Sequence, residues 1–269
     1  MEINRTNIFE ITSKADIKPD KDYGQNFLIE PEISKRITDS LKIEEGETII
    51  EVGPGLGSLT HFLSMFNNRI TLVDIDKRMT DFLKIVYQNN NVEIIENDIR
   101  KVEVSNYDKI VGNLPYNITT EAIQYLLLNA SHAKRMVFMI QKETFSHFED
   151  VSGKEYGPTS VLIHLLGNIE RLFTVKAGCF YPVPKCNSVV FAINIDSKND
   201  RQCCLNTFKI AKQLFINRRK TILNNLINYL KNKELADRIC ADLDINPLAR
   251  PEQLPPEMYL KISDYLSSK

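Results

Sequence analysis

The 269-residue sequence predicts an α/β fold, a parallel sheet covered by helices on both faces, followed by a smaller helical region. Three observations carry this. Short apolar strands alternate with helical patterns from Pro31 to Ile140. A glycine-rich turn, Gly53-Pro54-Gly55-Leu56-Gly57, separates the first strand from its helix. Beyond a polar break at Asp196-Ser197-Lys198-Asn199-Asp200 the pattern is helical to the end.

Pro31 opens a helix that places Ile33, Ile37 and Leu41 on one face. Residues 47–52 read as a strand and 58–66 as the helix after the glycine turn. Strands follow at 69–74, 92–95, 109–112 and 135–140, with helices at 77–87 and from Thr119 or Thr120 to 128. Either threonine can cap that last helix, with Glu121 in its first turn. After Gly157-Pro158 comes one more helix. Residues 169–175 and 188–195 then read as an antiparallel edge hairpin around a proline-rich loop. The domains expected are a loosely held arm over 1–22, an α/β domain over 23–197 and a helical domain over 198–269, with a proline-rich joint at 247–256.

Composition excludes several classes. An apolar content of 43 % supplies a full core, and no apolar run is long enough to span a membrane. The first twenty residues mix acids and bases, unlike a signal or transit peptide, so a cytoplasmic protein is expected. Cys179, Cys186, Cys203, Cys204 and Cys240 form no CxxC pair and the four histidines are scattered, so neither a metal site nor a disulfide framework is expected. Net charge is −1, which argues against a nucleic-acid binder, yet its distribution does not. Residues 205–233 contain no acid and hold Lys209, Lys212, Arg218, Arg219, Lys220, Lys231 and Lys233.

The glycine turn lets backbone approach a ligand at a helix N-terminus. Asp74 ends the second strand, about 20 residues further on, where an acid can accept ribose hydroxyls. Two details turn the site away from a dinucleotide: the spacing is GxGxG rather than GxGxxG, and Pro54 removes one N–H. This loop suits an amino-acid tail, which S-adenosylmethionine has. Asp98 follows the third strand and can accept from an adenine amine while Ile99 packs on the ring. A bare structural turn is the competing reading for each feature alone. Together they lie at the carboxyl edge of a parallel sheet, where ligands bind.

The run Ile110 to Thr120, IVGNLPYNITT, ends a strand in Asn113-Leu114-Pro115-Tyr116. The Asn113 side-chain oxygen and the Leu114 carbonyl can each accept one N–H of an aromatic amine. Pro115 presets the turn, and Tyr116 offers a ring for a flipped base to stack on. A strand-end corner with a core tyrosine is the alternative.

Six segments together resemble the ribosomal RNA adenine N6,N6-dimethyltransferases. They are Tyr23-Gly24-Gln25-Asn26-Phe27-Leu28, Glu51 to Gly57, Asn97-Asp98, Asn113 to Tyr116, Phe180-Tyr181-Pro182-Val183-Pro184-Lys185, and Asn217-Arg218-Arg219-Lys220-Thr221, with Glu155-Tyr156-Gly157 between. The likeness spans roughly 23–266. It implies a class I (Rossmann-like) S-adenosylmethionine-dependent methyltransferase domain with a small helical C-terminal domain. The family's binding positions carry over as Asn26, Leu28, Gly53, Asp74, Asp98 and Asn113. Cofactor contacts are further expected at Gln25, Gly55, Ile75 and Ile99, and Gln25 and Asn26, which precede a helix, can fold over the methionine end or cap that helix. Phe180, in the proline-rich loop, is the candidate opposite Tyr116 around the target base, and Arg218, Arg219 and Lys220 are expected on phosphates, with a solvated helix face as the alternative. Asp74 stands where the family often has Glu, and the near-zero net charge departs from its basic character.

Leu114, the Tyr156-Gly157 helix start and the helix expected from Arg218 to Leu226 are similar to the housekeeping branch. That branch dimethylates two adjacent adenines near the 3′ end of small-subunit RNA. The implied partners are the small ribosomal subunit and its rRNA, for a monomeric enzyme. The alternatives are a large-subunit methyltransferase of the macrolide-resistance type, a glutamine-side-chain methyltransferase, and a catalytically silent ribosome-assembly or transcription factor.

Overall fold

The computed structural model describes residues 1–20, 24–88, 91–115, 117–196 and 199–268. The chain divides into two compact units, Met1–Glu143 with Glu170–Asn194, and Thr144–Ile169 with Ile195–Lys269. The boundaries expected at 22/23 and 197/198 lie outside the described residues.

The first unit begins with α1 (Ile8–Lys14), β1 (Phe27–Leu28) and α2 (Pro31–Asp39). Then come β2 (Thr48–Val52), a short α3 (Thr60–Leu63), β3 (Arg69–Asp74), α4 (Lys77–Val86) and β4 (Val92–Glu96). The order continues with β5 (Lys109–Asn113), α5 (Thr119–Asn129) and β6 (Arg135–Gln141). After α6 (Lys142–Glu149) and α7 (Pro158–Leu166) the chain forms β7 (Gly167–Val175), β8 (Phe180–Tyr181) and β9 (Ser188–Ile195). Among the described residues a seven-stranded sheet runs β4-β3-β2-β5-β6-β9-β7. The pairs β3/β4, β2/β3, β2/β5 and β5/β6 are parallel, and β6/β9 is antiparallel. The strands of the expected hairpin are thus present, with β7 outermost and β9 set against β6.

The parallel strands are near-continuous apolar runs because both faces are covered. Ile49, Ile70, Leu72, Val111, Val137 and Met139 pack with Ile37 and Leu41 in one buried cluster. The first twenty residues, expected as a loose arm, form α1 and bury Ile3, Ile8 and Ile17 against Phe27, Ile29, Leu56 and Met79. The burial of those three isoleucines holds the segment down. Neither Thr119 nor Thr120 caps α5: its N-cap is Ile118, and the Thr119 hydroxyl donates to the Pro115 carbonyl at 2.9 Å.

The second unit is helical, as the pattern after the polar break requires. It holds α6, α7, α8 (Arg201–Leu214), α9 (Ile222–Leu230), α10 (Lys233–Asp242) and α11 (Pro256–Ser267). Phe215 stacks on Tyr259 and meets Tyr156 edge-on, each at 5.6 Å between centroids. Helix α9 starts later than expected, because the Thr221 hydroxyl accepts from the Asn224 N–H at 3.3 Å and caps it. Arg218, Arg219 and Lys220 therefore stand in the turn before the helix rather than on it.

Candidate active site

Strand β2 lies between β3 and β5, and the sheet order reverses there, the place where ligands bind in open α/β sheets. The carboxyl ends of four parallel strands deliver the predicted residues to one cavity of about 290 Å³, near the lower end of small-ligand sites. Gly53, Gly55, Asp74, Ile75, Asp98, Ile99, Asn113, Leu114 and Pro115 all line it. So do Gln25, Asn26 and Leu28, which the β1/β8 ribbon holds in place through Phe27↔Tyr181 and Leu28↔Phe180 pairing.

Two glycines make the geometry possible. Gly112 pairs with Val52, and a Cβ there would lie 2.6 Å from the Val52 carbonyl oxygen, so only glycine lets β5 approach β2 this closely. Gly55 has φ +53°, and a Cβ would meet the Phe27 ring at 3.2 Å. Its N–H donates to Asp74 Oδ2 at 3.2 Å, which ties the glycine loop to the end of β3.

The acids differ in state. Burial pushes Asp74 up to about 6, against bonds from the Asp76 and Gly55 N–H groups that favour its anion. Burial pushes Glu51 up to about 8, opposed by the Thr60 hydroxyl, which donates at 2.6 Å, and reinforced by the charge of Asp74. Asp98 is held below the usual carboxylate range by the Arg100 guanidinium, 2.6 Å from Oδ2.

Asn113 Nδ2 donates to the Asn26 carbonyl at 3.2 Å. A carbonyl only accepts, so this bond decides the amide orientation and leaves Oδ1 as the acceptor end. The Leu114 N–H is taken by the Met139 carbonyl at 3.1 Å, which fixes the turn to β6. Asn26 Nδ2 donates to the Gly24 carbonyl at 3.1 Å. Gln25 is more committed than expected: its amide donates to Asp76 Oδ2 at 2.8 Å and accepts from the Asp20 N–H at 3.0 Å, so it anchors the N-terminal segment. Ile75 is 53 % exposed on the cavity, whereas Ile99 is buried.

Phe180 and Arg218 are placed elsewhere than expected. Tyr116 lies outside the described residues. Phe180 is 2 % exposed and packs in the core with Leu28 and Val175, because its strand position opposite Leu28 turns the ring inward. It does not line the cavity. In the second unit Arg218 bonds the Tyr156 and Gly153 carbonyls at 2.9 and 3.2 Å and lies 3.9 Å from Glu252, so its guanidinium is spent on the fold. Arg219 and Lys220 are exposed. Glu51 was missed as a site residue. The signal for it is an acid inside an otherwise apolar strand, Thr48–Val52.

Among the described residues no group of three or more His, Cys, Asp or Glu side chains can hold a metal ion, and no helix is long and apolar enough to cross a membrane.

The sheet order, the glycine loop after β2 and the acids at the ends of the next strands define a class I methyltransferase fold. A dimethyladenosine transferase from Plasmodium falciparum superposes with a TM-score of 0.75 at 23 % identity, covering 90 % of this chain and 98 % of that one. The 23S rRNA methyltransferase ErmE superposes at 0.68 and 21 % identity, covering 90 % of this chain and 100 % of its own. The family described as ribosomal RNA adenine dimethylase matches residues 17–268. A ribosomal RNA small subunit methyltransferase A from Malacoplasma penetrans is 35 % identical over 246 residues, 89 % of each chain. The chain belongs to the ribosomal RNA adenine dimethylase family.

Proposed function

We propose that this protein, acting as a cytoplasmic monomer, transfers methyl groups from S-adenosylmethionine to the N6 amines of two adjacent adenines in the 3′-terminal hairpin of small-subunit rRNA. The observation that carries the reading is the Asn113 side chain, whose Nδ2 bond to the Asn26 carbonyl leaves Oδ1 as its acceptor end in a cavity that Asp74 and Asp98 also line.

The cavity suits that cofactor in its donor set: Asp74 for ribose hydroxyls, Asp98 for the purine amine, and a glycine loop that admits the amino-acid tail. Bound there, S-adenosylmethionine supplies an electrophilic methyl on a positively charged sulfur. Asn113 Oδ1 and the Leu114 carbonyl accept the two N–H groups of the target amine. This holds the nitrogen with its lone pair aimed along the transfer line. Positive charge grows on that nitrogen, so both acceptors bind the transition state better than the ground state. Pro115 keeps the turn at its preset φ, and Tyr116 stacks on the flipped base. Orientation supplies most of the rate, and no strong base is required. Arg219 and Lys220 meet phosphates.

The support for the small-subunit substrate is the name of relatives such as the 35 %-identical one from Malacoplasma penetrans, together with Leu114 in the turn. The fold does not separate the branches, since a 23S enzyme superposes nearly as well. The test offers labelled S-adenosylmethionine with small subunits lacking adenine dimethylation and, in parallel, with large-subunit precursors. N6,N6-dimethyladenosine in the small-subunit RNA is the expected product. Label confined to the large-subunit precursor, or in neither, overturns the reading.

A further inference from the structure

Arg100 has no role in that scheme, yet it lines the cavity and grips one of its acids. Asp98 caps the short 3₁₀ turn Ile99–Lys101, and its Oδ1 accepts from the Arg100 N–H at 2.9 Å. The guanidinium closes on the same carboxylate, with Nε 3.0 Å from Oδ1 and 3.1 Å from Oδ2, and Nη2 2.6 Å from Oδ2. Such a fork fixes the carboxylate plane, which a lysine point charge does not. The turn is itself anchored, because Tyr125 Oη donates to the Val102 carbonyl at 2.8 Å. Lys101 and Glu121 are the other charged groups acting on the pair.

We propose that Arg100 is a positioning residue that locks Asp98 as an acceptor-only carboxylate and thereby selects a 6-amino over a 6-oxo purine on the cofactor. This rests on the assignment of Asp98 to the purine amine. An ionised, oriented carboxylate accepts from an exocyclic amine and repels a ring carbonyl oxygen. A carboxylate free to rotate and take a proton can donate to that oxygen instead. The low proton affinity that Arg100 imposes on Asp98 agrees with this.

The test measures binding of S-adenosylhomocysteine and S-inosylhomocysteine to the full chain by calorimetry. The wild type should prefer the adenosyl compound. Arg100→Leu should weaken adenosyl binding roughly tenfold, on the scale of one charge-assisted hydrogen bond, and leave inosyl binding within about twofold. The preference then collapses, and Arg100→Lys should recover part of it. An unchanged preference or tighter adenosyl binding in Arg100→Leu overturns the proposal. Asp98→Asn separates the two layers. If it loses the preference while Arg100→Leu keeps it, only the Arg100 role fails. If Asp98→Asn also keeps it, the assignment of Asp98 fails and takes the Arg100 role with it.

Discussion

The two ends of the central sheet carry acids whose proton affinities are shifted in opposite directions. At the amino ends of the strands Glu47, 5 % exposed, lies 3.4 Å from Lys109 and 3.1 Å from Lys134. Burial works to raise its proton affinity, but the Glu44 N–H and the two lysines outweigh it and keep Glu47 ionised. Asp108 accepts from the Thr48 N–H at 3.0 Å and pairs with Lys134 at 3.1 Å. Arg135 bonds the Ser40 carbonyl and pairs with Glu170. At the carboxyl ends Glu51 is buried and Asp74 half-buried, but among the described residues neither forms an ion pair, and both are pushed upward. Acids with cations beside them hold the fold together. Acids buried without cations are costly, and a cationic ligand relieves that cost. S-adenosylmethionine, with its ammonium and sulfonium charges, is such a ligand.

Breaking the paired end should produce the largest effect, and on stability. Glu47→Ala leaves Lys109, with a side chain 7 % exposed, without its carboxylate. Loss of about 3–5 kcal/mol is expected in chemical denaturation, as for one partner removed from a buried pair. Turnover per folded molecule should hold. A cost below about 1 kcal/mol would erase the contrast between the two ends.

The site end should answer in rate instead. Asn113→Ala should lower kcat roughly 10²–10³-fold, about 2.7–4 kcal/mol, as for one oriented polar group. Cofactor affinity should change much less than the rate. Wild-type turnover in this variant would remove Asn113 from the mechanism.

The unpaired acids set a pH dependence whose sign is opposite to that of Glu47. Asp74 and Glu51 hold protons in the folded chain that an unfolded chain releases at the ordinary carboxylate range. The stability these two acids contribute is therefore full at low pH and is lost as pH rises through about 6 for Asp74 and about 8 for Glu51. Glu51→Gln should flatten the upper part of that decline in a series of thermal melts. A curve unchanged by the substitution would mean that Glu51 is ionised in the fold.

The smallest effect concerns the second unit. Arg219→Ala should reduce the slope of log affinity against log salt for rRNA by roughly 0.7–0.9, one phosphate contact. Arg218→Ala should instead lower stability, since its guanidinium serves the Tyr156 and Gly153 carbonyls. A reduction of that size in Arg218→Ala with unchanged melting would reverse the two assignments.

Much of this was legible from residue order. The strand 69–74 and the strand 188–195 begin and end where the apolar pattern does. The glycine turn, Asp74, Asp98 and Asn113 reach one cavity because each follows a strand, and parallel strands all end at the same edge. The misses share a cause. The β1 and β8 strands are two residues each, too short for any periodicity, so the inward turn of Phe180 was invisible. Helix α1 and the burial of Ile3, Ile8 and Ile17 depend on partners as distant as Met79. The capping of α9 by Thr221 moved Arg218 off the helix, a choice settled by one local hydrogen bond.

The sequence alone determined which residues stand at strand ends and which chemistry they offer, because period and turn residues are local properties of the chain. Only tertiary structure decided that β2 lies between β3 and β5, with Gly112 admitting the close approach, and so that the glycine loop and Asn113 share a cavity. It also decided charge state. Glu47 and Glu51 are four residues apart in one stretch of chain, and only the neighbours brought by folding make one an anion and the other a neutral acid.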